Sequence, residues 1–198
     1  IHTVVYLSTS GVYGDCGGAW IDETAPLLPK TPRAVRRLAA ERAWQAHINH
    51  RMNHQNQAIK LIILRVPGIY GEGRMPRARL EQGLPLVRPE ESSFTNRIHQ
   101  DDLARVALIA AQNGKHNEAY NVSDGQPSTM YDYHVACAKI LGLPVPPMIG
   151  LAEAQQQLSP SLLSYYEESK RLINHKILNE LGAVLQYPSL HDGLRACF

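Results

Sequence analysis

Three consecutive hydroxyl residues, Ser8, Thr9 and Ser10, close the apolar run Val4-Val5-Tyr6-Leu7 and lead into Gly11-Val12-Tyr13-Gly14. In open α/β sheets the ligand crevice lies off the carboxyl ends of the strands, so hydroxyls placed there are delivered to a site. Tyr13 and Tyr70 each follow an apolar run and could supply a phenol, although such a tyrosine more often packs with its hydroxyl satisfied. His47, His50 and His54 stand at i, i+3 and i+7, and neutral imidazoles on one helix face can bind zinc. No acidic or cysteine ligand is interleaved with them. Their neighbours Asn49, Arg51, Asn53, Gln55 and Asn56 make a solvated face the expectation. The adjacent pair Glu90-Glu91 lacks the arrangement of paired carboxylates that hydrolyse glycosides and reads as a charged loop.

These groups need a scaffold that gathers them on one edge. A short apolar run bounded by turn formers reads as a buried strand of a parallel sheet, which assigns the first strand to the residues leading into Ser8. Cys16 to Thr31 reads as a loop rich in glycine and proline. Pro32 then opens a long helix to about Asn53, since proline suits the first helical turn and Ala34, Leu38 and Ala39 recur on one face. Ala58 to Val66 is a second apolar strand, completing a βαβ unit. Further along, the pattern predicts a short helix from Arg74 to about Gly83 and a strand from Phe94 to His99. A helix capped by Asp101 or Asp102 and a strand from Glu118 to Val122 follow. The last elements are a helix from Ser128 to Leu141 and a mostly helical, amphipathic stretch from Ser161 to Leu181. The fold class is α/β, a doubly wound parallel sheet, with a mild boundary near Gly71.

Composition narrows the function classes. With 44% hydrophobic residues over 198 positions there is material for one core. The formal net charge is +2, from 20 basic and 18 acidic residues, which gives no reason to expect nucleic acid or an anionic membrane as partner. No run approaches the roughly 18 apolar residues of a membrane span. The cysteines, Cys16, Cys137 and Cys197, are odd in number and far apart, which favours a reducing compartment and a cytoplasmic location.

The run Tyr6-Leu7-Ser8-Thr9-Ser10-Gly11-Val12-Tyr13-Gly14-Asp15, followed by Ile21-Asp22-Glu23-Thr24-Ala25-Pro26, resembles the extended short-chain dehydrogenase/reductase family, which includes nucleotide-sugar epimerases and dehydratases. Matching segments follow in family order. They are Leu38-Ala39-Ala40-Glu41, then Leu64-Arg65-Val66-Pro67-Gly68-Ile69-Tyr70-Gly71 with Gly73-Arg74, then Arg97-Ile98-His99-Gln100-Asp101-Asp102-Leu103-Ala104, then Ala119-Tyr120-Asn121-Val122-Ser123-Asp124. Each is weak alone, and together they cover nearly the whole chain. The resemblance implies a Rossmann-like sheet with a small substrate-binding lobe. Residues 1–70 would be the carboxyl-terminal part of the dinucleotide-binding domain, and 71–198 mainly the lobe, with segments returning to the sheet.

Family members begin with a strand, a glycine-rich G-x-x-G-x-x-G turn and a helix whose N-terminus holds a pyrophosphate. No such opening unit is recognised here, and Gly68-Ile69-Tyr70-Gly71-Glu72-Gly73 has the wrong spacing and reads as a turn. The chain is therefore expected to be the carboxyl-terminal two-thirds of a longer polypeptide, lacking about three strand-helix units. Alone it should expose a sheet edge and be poorly soluble.

The resemblance further implies NAD or NADP as cofactor and a small-molecule substrate of the sugar-nucleotide class, with a homodimer as the assembly to test. Thr9 falls on the family's catalytic hydroxyl. The family's Y-x-x-x-K pair falls on Arg33 and Arg37, and neither replacement is conservative. An arginine stays protonated, so Arg33 cannot serve as a base, whereas Arg37 keeps the positive charge and could donate to ribose hydroxyls. Both could equally lie on a solvated face with Arg36 and Arg42. The implied catalytic positions are Thr9 and Arg37. The cofactor contacts are Ser8, Arg37, Pro67 and Gly68, and the substrate contacts Arg74, Arg97 and His99. Two functions of different class remain: an NAD(P)-dependent oxidoreductase or nucleotide-sugar epimerase/dehydratase, and a catalytically silent binding or regulatory protein on the same fold.

Overall fold

The computed structural model describes residues 2–55 and 58–197, without the side chains of 54, 55 and 161. Strand β1 (Thr3–Thr9) ends in a 3-10 turn over Ser10–Tyr13, whose first N–H groups need an acceptor; Thr9 Oγ1 accepts from Gly11 N–H at 3.2 Å. The following stretch, expected to be loop throughout, contains the two-residue strand β2 (Trp20–Ile21). Helix α1 (Pro32–Gln55) starts where Thr31 Oγ1 accepts from Ala34 N–H at 3.2 Å, and it carries the chain back to strand β3 (Lys60–Val66). β3 is parallel to β1, pairing Thr3 with Lys60 through Thr9 with Val66. The βαβ unit read from the sequence is present.

After β4 (Gly68–Tyr70), helix α2 spans Arg77–Glu81, shorter than the predicted Arg74 to Gly83, and leads to β5 (Leu86–Val87). The strand predicted from Phe94 to His99 is two strands. β6 (Phe94–Thr95) and β7 (Arg97–His99) are separated at Asn96, whose side chain donates to Lys170 O at 3.0 Å and accepts from Leu172 N–H at 2.8 Å. Helix α3 (Gln100–Asn113) begins one or two residues before the predicted aspartate cap. His99 is its N-cap, with Nδ1 accepting from Asp101 N–H, while Asp102 is fully buried and accepts from the N–H groups of Gln186 and Tyr187, each at 2.9 Å. Strand β8 (Glu118–Asn121) returns to the sheet parallel to β3, giving the order β1-β3-β8.

β9 (Ser128–Thr129) pairs with β6, and Thr129 then caps α4 (Met130–Ile140) in a reciprocal box with Asp132. The predicted helix start at Ser128 therefore moves two residues on. β10 (Met148–Ile149), α5 (Leu151–Gln157) and α6 (Pro160–Leu163) follow. The expected long helix from Ser161 to Leu181 is overturned. Arg171 and Ile173 donate their N–H groups to Ala19 O and Ile21 O, pulling the segment into β11 (Arg171–Leu172) beside β2, and only α7 (His175–Asn179) is helical beyond it. α8 (Leu190–Arg195) closes the fold.

The main core joins Ile62, Leu64 and Val66 of β3 to Val106 and Ala110 of α3 and Ile177 of α7. β3 is buried almost throughout, whereas β1, expected to be buried, lies at the edge of the described sheet with most residues half-buried and Leu7 46% exposed. A second core packs Tyr70, Leu80, Tyr133, Cys137 and Leu194 together. Gly193 sits against it so closely that an added Cβ would lie 2.1 Å from Tyr70 Oη and 2.6 Å from its ring. The ring is fully buried and cannot swing away. Gly193→Ala should therefore cost about 1–3 kcal/mol by overpacking, read as a lowered midpoint in urea unfolding.

Candidate active-site cleft

Off the carboxyl ends of β1 and β3 lies an open cleft of about 470 Å³. One wall is Thr9, Ser10 and Gly11 with the first turns of α1, and the opposite wall is Val66, Pro67 and Gly68; β6, β7 and residues 164–170 close the far side. The volume falls in the range of small-molecule sites. Thr9 borders the cleft and its Oγ1 accepts from Gly11 N–H, a bond that does not use its own O–H donor. Ser8 also borders the cleft, but it is buried and its Oγ donates to Glu41 in a short contact, so it faces the protein.

That contact belongs to a polar network under the floor of the cleft. Arg65 Nη2 meets Glu41 Oε2 at 3.0 Å, and Arg65 Nη1 donates to Tyr13 Oη at 3.1 Å. Tyr13 Oη in turn donates to Asn121 Oδ1 at 2.7 Å. Glu41, Arg65 and Tyr13 are all buried. Burial pushes the Tyr13 hydroxyl up to about 12, against the opposing pull of Arg65. The phenol is thus a bound structural group, and Tyr70 is likewise buried, with its hydroxyl donating to Ser189 O at 3.3 Å.

The wall of the cleft is rich in donors. Arg33, Arg37, Arg74 and Arg97 line it, and among the described residues no carboxylate pairs with any of the four. Lys170 and Glu168 line it as a pair, Nζ to Oε2 at 2.7 Å. Arg37 Nη1 donates to Leu7 O at 3.1 Å and Tyr6 Oη at 3.3 Å, leaving its Nε and Nη2 donors for a ligand. Arg97 is the unusual member. Its guanidinium lies 4.0 Å above the Tyr133 ring, Nη1 donates to Asn96 O at 3.1 Å and Nη2 to Met130 Sδ at 3.4 Å, while the buried Nε has no partner. Burial pulls its pKa below the usual arginine value. Gly68 makes room for it, since a Cβ there would lie 2.8 Å from Arg97 Nη1.

Asp124 is the acid coupled to Arg97, whose backbone carbonyl accepts from Asp124 N–H at 2.9 Å. Burial raises the Asp124 carboxyl to about 7, more than Arg97 lowers it, and Oδ2 is unpartnered. Between pH 4 and pH 7 or so the folded chain thus holds a proton that the unfolded chain has released, so this group's contribution to stability falls as the pH rises through that window. Asp124→Asn keeps an acceptor for Gln126 N–H, which Oδ1 now binds at 2.9 Å. It should flatten that part of the profile, and the check is the urea midpoint of both proteins from about pH 4 to 8; parallel profiles would contradict it.

Of the residues singled out from the sequence, Ser8, Thr9, Arg37, Pro67, Gly68, Arg74 and Arg97 all border this one cleft. His99 does not. It is buried as the α3 cap, its ring 4.0 Å from that of Tyr187 and edge-on to Tyr70, because the helix starts at Gln100 and needs an acceptor there. The roles of three residues, Glu41, Tyr165 and Glu168, went unread. Glu41 continues the buried stripe Ala34, Leu38 and Ile48 of α1, so a carboxylate on an apolar face was the available signal. Tyr165 and Glu168 lie in the segment wrongly read as helix. The spacing G-x-x-G-x-x-G does occur, at Gly11, Gly14 and Gly17, but it leads from the 3-10 turn to β2 and presents no helix N-terminus to a phosphate. Among the described residues no group of three His, Cys, Asp or Glu could hold a metal ion, and the side chain of His54 lies outside them. None of the described helices is long and apolar enough to cross a membrane.

Residues 1–123 match the model of the NAD dependent epimerase/dehydratase family. No curated protein matches the chain. Among solved structures, a functionally unknown conserved protein from Silicibacter pomeroyi DSS is 38% identical with a TM-score of 0.84, the match covering 98% of this chain and 65% of that one. The dTDP-glucose 4,6-dehydratase of Bacillus anthracis str. Ames, in complex with NAD, is 19% identical with a TM-score of 0.75, covering 98% of this chain and 60% of that one. The UDP-glucuronic acid 4-epimerase of Bacillus cereus, in complex with UDP-glucuronic acid and NAD, is 22% identical with a TM-score of 0.72, covering 98% and 59%. The chain thus spans 59–65% of the length of these three structures.

Proposed function

Because the chain belongs to the NAD dependent epimerase/dehydratase family, we propose that the cleft holds the nicotinamide end of NAD or NADP beside a nucleotide sugar, and that the protein is an oxidoreductase, epimerase or dehydratase acting on that sugar. The observation that carries this reading is the set of guanidiniums lining the cleft, Arg33, Arg37, Arg74 and the buried Arg97, with which no carboxylate pairs among the described residues. A buried charge without a carboxylate is costly, and an anionic oxygen is its natural complement.

The donor set fits the group. Phosphate and ribose oxygens that accept hydrogen bonds would face arginine and hydroxyl donors at the strand ends. Arg37 would donate to ribose hydroxyls, and the Pro67-Gly68 backbone would border the nicotinamide. Arg74 and Arg97 would hold the substrate phosphates, and Thr9 O–H would orient the sugar oxygen at which the chemistry occurs. The cofactor supplies the acceptor and donor of an electron pair with a hydrogen.

A second reading, a silent binding protein on this fold, is favoured by Arg33, which cannot be a base in the position where the family resemblance expects a tyrosine. The two separate on one experiment: UDP-glucose and UDP-glucuronic acid incubated with the protein and NAD, followed at the absorbance of reduced nicotinamide and by NMR of the sugar. Turnover supports the enzyme, whereas ligand binding with no change in either signal supports the silent protein.

A further inference from the structure

Sugar oxidation needs a group that can take up a proton, and the lining of the cleft limits the choice. Among the described lining residues there is no histidine, cysteine or aspartate, one tyrosine, Tyr165, and one carboxylate, Glu168. Glu168 is held by Lys170, and both are largely buried. Tyr13 and Tyr70 are committed to internal hydrogen bonds. Tyr165 is 43% exposed, and Arg33 Nη1 donates to its hydroxyl at 3.2 Å while the guanidinium also lies 5.1 Å from the ring centroid.

We propose that Tyr165, delivered from the carboxyl-terminal segment and steadied by Arg33, is the proton carrier of the cleft. The inference rests on the reading of the cleft as a dinucleotide and sugar site. When the substrate carbinol becomes a carbonyl, its O–H bond breaks and the proton passes to the phenolate oxygen of Tyr165. The C=O bond forms, and the carbon-bound hydrogen leaves with its electron pair to the nicotinamide dinucleotide. In the reverse direction the phenol returns its proton to the carbonyl oxygen. Arg33 cannot move a proton itself, but its positive charge stands beside the oxygen that bears negative charge once the proton has left. The arginine thus serves as the companion of a tyrosine brought from 132 residues away.

Tyr165→Phe should bind NAD and UDP-glucose in calorimetry within about threefold of wild type while turnover falls by roughly 10²- to 10⁴-fold. A readout independent of turnover is nitration by tetranitromethane, which attacks phenolate, mapped by peptide mass. Tyr165 should be nitrated before Tyr13 and Tyr70, more slowly in Arg33→Met, and again at the wild-type rate in Arg33→Lys. Turnover retained in Tyr165→Phe, turnover lost in Glu168→Gln but not in Tyr165→Phe, or nitration unaffected by Arg33→Met would each overturn the assignment. Wild-type protein that binds neither ligand would instead defeat the reading of the cleft, and the calorimetry shows this before any variant is made.

Discussion

Replacing Glu41 with alanine is expected to destabilise the protein by about 3–5 kcal/mol, one of the largest losses available from a single side chain. Glu41 and Arg65 have side-chain exposures of 2% and 7%, and they meet through two contacts, Nη2 to Oε2 at 3.0 Å and Nε to Oε1 at 3.4 Å. Removing the carboxylate strands a guanidinium between α1 and β3 with only Tyr13 Oη and Glu23 O as neutral acceptors. It also frees Ser8 Oγ. Glu41→Gln should lose less, because the amide oxygen still accepts a bond. The check is urea unfolding followed by circular dichroism, and a loss under about 1 kcal/mol in Glu41→Ala would place the pair among surface-like salt bridges. The same network anchors the strand ends, so the loss should loosen the floor of the cleft as well.

Arg97→Met is expected to behave in the opposite way. Affinity for UDP-glucose should fall roughly 10- to 100-fold, the worth of a charge-assisted hydrogen bond, while thermal stability stays level or rises. Methionine matches much of the arginine stem and packs on Tyr133, and it removes a buried charge that no described carboxylate meets in an ion pair. A residue kept for structure would lose stability on replacement. Weaker binding combined with an unchanged or higher melting temperature marks a residue kept for a ligand. Binding unchanged in calorimetry would remove Arg97 from the site. As the pH falls through about 7, Asp124 gains its proton, so the wild-type affinity for the anion should strengthen, and this trend should vanish in Asp124→Asn.

The βαβ unit and the strand ends, with Ser8 and Thr9, were legible because they rest on local signals: an apolar run, hydroxyls at its end, a proline at a helix start. Arg37, Pro67, Gly68, Arg74 and Arg97 were legible only through the family resemblance of the segments that carry them. What the sequence concealed depends on distant partners. Glu41 and Arg65 are 24 residues apart, and nothing near Arg65 marks it as an ion-pair member except its place in the apolar run Leu61 to Val66. His99 looked like a ligand until the start of α3 at Gln100 claimed it as a cap. Residues 164–170 carry helix-compatible side chains, yet pairing of Arg171 and Leu172 with β2 and the hold of Asn96 on Lys170 O override that preference. The one cleft tyrosine came from that misread segment. Periodicity has no means of bringing Tyr165 to Arg33.

The most direct test is a crystal structure of the protein grown with UDP-glucose and NAD. The expected result is a pyrophosphate within hydrogen-bond reach of the guanidiniums of Arg74 and Arg97, with the sugar ring between Thr9 and Tyr165. Density for the ligands elsewhere, or a cleft that stays empty at ligand concentrations that saturate calorimetry, would contradict the assignment of this cleft as the site.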